Sequence, residues 1–92
     1  MAKKKTIKLP IAKVKKALDY LGLDHVDEEH PDGNLTQIWL TQEGFSHVNI
    51  NAYATGAVVV QPYADQAADS IDRILTLRAA RLRQKGKIPP SL

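Results

Sequence analysis

The stretch His47-Val48-Asn49-Ile50-Asn51-Ala52-Tyr53-Ala54-Thr55-Gly56-Ala57-Val58-Val59-Val60-Gln61 decides the fold. Val48, Ile50 and Ala52 alternate with His47, Asn49, Asn51 and Tyr53. A period of two marks a strand with one buried face. Thr55-Gly56 makes a tight hairpin, because glycine takes positive φ at little steric cost. Ala57 to Gln61 is then a second strand, with Val58 and Val60 inward, and Pro62 ends it. A long helix is predicted from Ala64 to Gln84, with Ala67, Ala68, Ile71, Ile74, Leu75, Ala79 and Leu82 on its apolar side. Asp65 and Asp69 sit near its positive end, and Arg78, Arg81 and Arg83 near its negative end, where each sign is favoured.

Upstream, Leu35 to Thr41 reads as a strand with Ile38 and Leu40 on one face and Gln37, Trp39 and Thr41 on the other. His30-Pro31-Asp32-Gly33-Asn34 is a turn, since proline presets φ and Asp-Gly closes tightly. Residues 24–29 form an exposed, acidic strand before it. Thr6 to Leu9 is a short strand, and Pro10 suits the first turn of a helix carrying Ile11, Val14, Leu18 and Leu21 on one stripe. Gly22 stops that helix. The order β-α-β-β-β-β-α predicts an α+β fold: a four- to five-stranded antiparallel sheet with both helices on one face and the other face open to solvent.

Ninety-two residues fit a single domain. We read residues 1–5 as a disordered basic arm, residues 6–85 as the domain, and residues 86–92 as a flexible tail. There is no cysteine, so disulfides and thiolate metal sites are excluded. No apolar run reaches the roughly 18 residues of a membrane span. The charged start lacks the apolar segment of a signal peptide, and a cytoplasmic chain with no membrane partner is expected.

The net charge of +3 hides a three-block order. Residues 1–16 carry seven Lys and no acid, residues 17–72 carry all ten acids and no Lys or Arg, and residues 73–92 carry six Lys or Arg and no acid. Charges are usually interspersed, so this segregation suggests two basic segments that the fold brings against a polyanion. The phosphate-holding candidates are Lys3, Lys4 and Lys5 of the arm, Lys13, Lys15 and Lys16 of the first helix, and Arg73, Arg78, Arg81 and Arg83 of the second. Dipole compensation and ordinary solvation account for part of the same pattern.

On the open sheet face the strands present Gln37, Trp39, Asn49, Asn51, Tyr53 and Gln61, with Thr41, His47 and Val59 beside them. Amides can bond groove edges, and Trp and Tyr can stack on unpaired bases. The plainer reading is a solvated sheet whose aromatics favour strands, and exposed Trp and Tyr also anchor protein interfaces. The acids Asp24, Asp27, Glu28, Glu29 and Asp32 discourage pairing at a sheet edge. His25, Asp27 and Glu29 share one strand face without a recognised metal spacing, so no metal and no cofactor are assigned. No nucleophile elbow, phosphate loop or zinc motif occurs, and no catalytic residue is assigned. A small toxin ribonuclease using His47 as base is the enzymatic alternative.

Residues 47–75 resemble one repeat of the TATA-box-binding-protein-like fold, as also found in the amino-terminal domain of type III bacterial ribonuclease H. There, an apolar-alternating strand ends at an aromatic or small residue, a Ser/Thr-Gly hairpin leads into a second apolar strand, and a long helix follows. The resemblance extends in topology over residues 6–83. It implies that the open sheet face meets nucleic acid, and that two such units side by side would form a saddle; a homodimer follows as an option. Ala57 and Pro62 stand where that family usually has Lys and often has Gly, which removes a phosphate-binding cation from the sheet face. The double-stranded-RNA-binding type would want a Lys-rich start to the last helix, whereas Tyr63-Ala64-Asp65-Gln66 is acidic. In size and charge the chain also resembles phage-encoded anti-CRISPR inhibitors, which implies docking on a host protein or nucleoprotein complex. A non-catalytic module that binds nucleic acid is the leading expectation.

Overall fold

A computed structural model describes residues 6–89. Five strands and two helices follow in the order β1 (Ile7–Lys8), α1 (Ile11–Tyr20), β2 (His25–Glu29), β3 (Leu35–Leu40), β4 (Asn49–Tyr53), β5 (Ala57–Gln61) and α2 (Gln66–Gln84). One antiparallel sheet runs β1-β5-β4-β3-β2. The α+β class and the order of elements are those expected from the sequence.

The register shows why alternation decides the faces. Ile38, Ile50 and Val60 stand opposite one another across three strands, and Thr36, Ala52, Val58 and Ile7 across four. These side chains point at the helices and are buried. Residues one step along each strand point the other way. Val14, Ala17 and Leu18 of α1 and Ala68, Ile71, Leu75 and Ala79 of α2 close the core from the helical side. Burying such side chains is worth about 1.5–3 kcal/mol each before entropy is set against it.

Both helices end alike. At Gly22 the amide of Leu23 donates to Leu18 O, and at Gly86 the amide of Lys87 donates to Leu82 O. Each glycine has positive φ, +72° and +70°, which is the Schellman arrangement. The second ending turns the chain back so that Ile88 is buried against the core.

Several boundaries differ from the sequence reading. Pro10 is the residue before α1 rather than part of its first turn, and its carbonyl accepts from Lys13 N and Val14 N. Leu21 follows the helix and is exposed, because the turn at Gly22 carries it off the buried stripe. The second helix starts at Gln66, since Ala64 has φ 57° and cannot be helical; Asp65 caps it by accepting from Ala68 N at 3.0 Å. Ile74 is exposed rather than apolar-side core. Thr41 lies past the end of β3, where its amide bonds Asp24 O, and lines a hollow with Asp19, Leu23 and His25 rather than joining the open face.

Candidate nucleic-acid interface

The sheet order sets the electrostatics of the molecule. β1 and β2 are the two edges, so Lys8 and the acidic β2 strand sit at opposite sides of the sheet. At the β1 side, the Arg83 guanidinium donates to Lys8 O, which brings the end of α2 onto the first strand. Lys8, Arg83 and the following Lys85 and Lys87 thereby share one end of the molecule. Lys3, Lys4 and Lys5 lie outside the described residues.

On the helical layer, Arg78 rests over the Tyr20 ring, 5.6 Å from its centre, and bridges α2 to the end of α1. Cation–π contacts of this kind are modest at exposed sites. Lys15 is spent otherwise: its Nζ is 2.7 Å from Asp27 Oδ2 on β2. Three of the seven helical cations expected to meet phosphate therefore have internal partners: Lys15, Arg78 and Arg83. Lys13, Lys16, Arg73 and Arg81 make no ion pair among the described residues, and Lys16, Arg73 and Arg81 are exposed. Ile74 and Leu77 share the outer face of α2 with Arg81, and Leu77 is 65% exposed.

The open sheet face carries the six residues read onto it. Trp39, Asn49 and Gln61 form one row across β3, β4 and β5, continued by Val26 of β2. Glu28, Gln37, Asn51 and Val59 form the next, and Leu35 and Tyr53 stand opposite each other in the third. The amides are linked along the second row and from it to the first. Gln37 Nε2 donates to Asn51 Oδ1 and Asn51 Nδ2 donates to Gln61 Oε1, each at 3.4 Å. The chain of amides leaves Gln61 Nε2 as the donor at its end. Trp39 and Tyr53 stay exposed on either side.

His47 is the site residue whose partner the sequence did not suggest. Its Nε2–H donates to Asp65 Oδ2 at 2.8 Å, so the residue ahead of β4 is tied to the cap of α2. The Ala68 amide, and next the His47 imidazole, hold the Asp65 carboxyl below the usual carboxylate range. His47, Asn49, Gln61, Pro62 and Tyr63 line an open hollow of about 440 Å³. Eighteen residues separate the pair, and no local pattern marks it.

The acidic strand also gains partners. His25, Asp27 and Glu29 stand opposite Leu40, Ile38 and Thr36, and so face the helical side. His25 Nδ1–H donates to Leu23 O at 3.0 Å, while its Nε2 is 3.9 Å from Asp19 and 3.8 Å from Asp27, too far for a hydrogen bond. Among the described residues no group of three His, Asp or Glu side chains is placed to hold a metal ion. No helix among the described residues is long and apolar enough to cross a membrane. No protein-family model, curated protein or solved structure matches the chain.

Proposed function

We propose that the chain is a non-catalytic binding module that holds a nucleic acid by its phosphates. The observation that carries this reading is the gathering of cations at the β1 end, where Arg83 is tied to Lys8, at the sheet edge opposite the acidic β2 strand. Lys13, Lys16, Arg73 and Arg81 have no competing carboxylate among the described residues and supply the phosphate contacts. Cations gathered in this way attract and orient a polyanion. The β-α-β-β-β-β-α order also supports the resemblance to a TATA-box-binding-protein-like repeat.

Fluorescence anisotropy against double-stranded DNA, an RNA–DNA hybrid, single-stranded RNA and double-stranded RNA, each at low and physiological salt, tests the reading. Affinity should fall steeply with salt. Replacing Lys16 and Arg81 by Ala should flatten the log–log slope by about one per cation. No binding at low salt, or an unchanged slope in the double variant, removes the proposal. Cleavage of the RNA that disappears in His47→Ala would replace it with the ribonuclease alternative.

A second reading is an inhibitor that docks on a host nucleoprotein complex. It is supported by Tyr20, Ile74 and Leu77, which are exposed around Arg78 on the helical layer. Aromatic and Arg anchors within an apolar patch are typical of protein interfaces.

A further inference from the structure

The outward stripe of α2 has an order of its own. The helix buries Ala68, Ile71, Leu75 and Ala79, and Leu77 stands nearly opposite them on the exposed side. Arg73 and Arg81 lie four residues before and after Leu77, each about 40° round the helix from it. Gln66, Ser70 and Gln84 continue the stripe, and all of these side chains are exposed. The acids of α2 lie off it: Asp69 is about 80° and Asp72 about 140° round from Leu77. Along the axis the two arginines are about 12 Å apart. That is close to the width of the major groove of B-form DNA, about 12 Å. An α-helix fits that groove, and an apolar side chain at its floor packs on the thymine methyl. The neighbouring helix supplies a further cation. On α1, Lys13, Lys16 and Tyr20 share one stripe, and Arg78 rests over Tyr20, so this stripe adjoins α2. A second copy docked antiparallel on the outward stripe of α2 would set Arg73 against Arg81. The stripe therefore calls for an anionic partner rather than its own kind.

We propose that α2 docks by this stripe in the major groove of double-stranded DNA, with Leu77 at the groove floor and Arg73 and Arg81 at the phosphate rows on either side. Lys16 of α1 holds a phosphate beyond the groove wall. The assignment rests on the phosphate-holding reading, and adds to it the class of nucleic acid and the element that enters it. Duplex RNA is disfavoured by shape, because its major groove is deep and too narrow for side chains to read. The open sheet face, with Trp39, then points away from the DNA, since the helices cover the other face. This docking differs from the one that the resemblance to a TATA-box-binding-protein-like repeat implies, in which the sheet face meets nucleic acid.

The test uses the full chain and three duplexes of one sequence, each of about 16 base pairs. They are DNA, the same DNA with deoxyuridine in place of thymidine, and RNA. The readouts are anisotropy across a salt series and the emission of Trp39, the single tryptophan. The deoxyuridine duplex and the RNA carry the same bases, yet the former should bind roughly tenfold more tightly, since only its groove admits the helix. Removing the thymine methyls should weaken binding roughly 2- to 4-fold, the worth of one buried carbon group. Leu77 is exposed and outside the core, so Leu77→Ala should fold normally. That variant should bind the thymidine and deoxyuridine duplexes equally, with an unchanged salt slope. Trp39 emission should stay constant. Equal affinity for the deoxyuridine duplex and the RNA, with a steep salt dependence, overturns the groove docking and leaves the phosphate reading standing. A methyl preference that is missing from the unaltered protein, or that survives in Leu77→Ala, also overturns it. A change in Trp39 emission on adding DNA places the duplex on the sheet face, with the same result. No binding of any duplex at low salt overturns the groove docking and the phosphate reading together.

Discussion

The two edges of the sheet are guarded in opposite ways. β1 is only two residues long, yet Ile7 and the following Leu9 are buried, Leu9 completely, and the end of α2 is tied to the strand by Arg83. β2 is five residues long and almost wholly exposed, with Val26 at 56%, and it carries Asp27, Glu28 and Glu29. An edge strand presents unpaired backbone groups that can template aggregation, and covering it or charging it are two remedies. The chain uses the first at its basic edge and the second at its acidic edge.

The largest effect that would test this contrast comes from matched truncations. Leu9→Ala should cost about 2–5 kcal/mol, as a buried Leu does when a cavity is left. Val26→Ala on the other edge should cost under about 1 kcal/mol, the span of strand preference alone. Urea denaturation of the two variants compares them directly. Equal losses would mean that β2 is packed as firmly as β1.

A smaller effect is expected where the helical layer reaches the acidic edge. The Lys15–Asp27 pair is partly exposed, with side-chain accessibilities of 40% and 28%. Lys15→Ala should lower stability by less than about 1 kcal/mol, and the difference should shrink as salt rises. A larger loss that salt leaves untouched would show that Lys15 acts through packing of its stem.

The smallest effect concerns the start of the helix that covers β1. Asp65 has its carboxyl held low in the folded protein, first by the Ala68 amide and then by His47. The unfolded state therefore binds its proton more readily. The stability contributed is present above the ordinary carboxylate value and is lost as pH falls through the lower folded one. Asp65→Asn, which keeps an oxygen for the cap, should flatten the acid side of the curve of melting temperature against pH. An unchanged acid limb would show that other carboxylates set it.

Much of this architecture was legible because its determinants are local. The alternation from Val48 to Val60 fixes which side chains face the helices, and the turns at Asp32-Gly33 and Thr55-Gly56 make successive strands neighbours. What depends on distant pairings was not. The exposure of Ile74 follows from how α2 lies on β5 and β1, since a helical stripe by itself does not say how wide the covered arc is. The loss of Lys15, Arg78 and Arg83 to internal partners, and the bond between His47 and Asp65, required the tertiary arrangement. Sequence places charges in order along the chain, and only the fold says which of them are already occupied.

The position of β1 has a consequence for the order of assembly. Strands β2 to β5 are joined by successive connections, each pairing with the next in sequence. β1 instead waits for β5, with Ile7 opposite Val58, and its carbonyl at Lys8 waits for Arg83 near the end of α2. Contacts between distant residues form late because the intervening chain must first be closed. An incompletely folded molecule would hold the meander and its acidic rim before it held the basic end. The basic end is therefore a property of the finished fold, and amide exchange at Ile7 and Leu9 would report its opening sooner than exchange at Ile50.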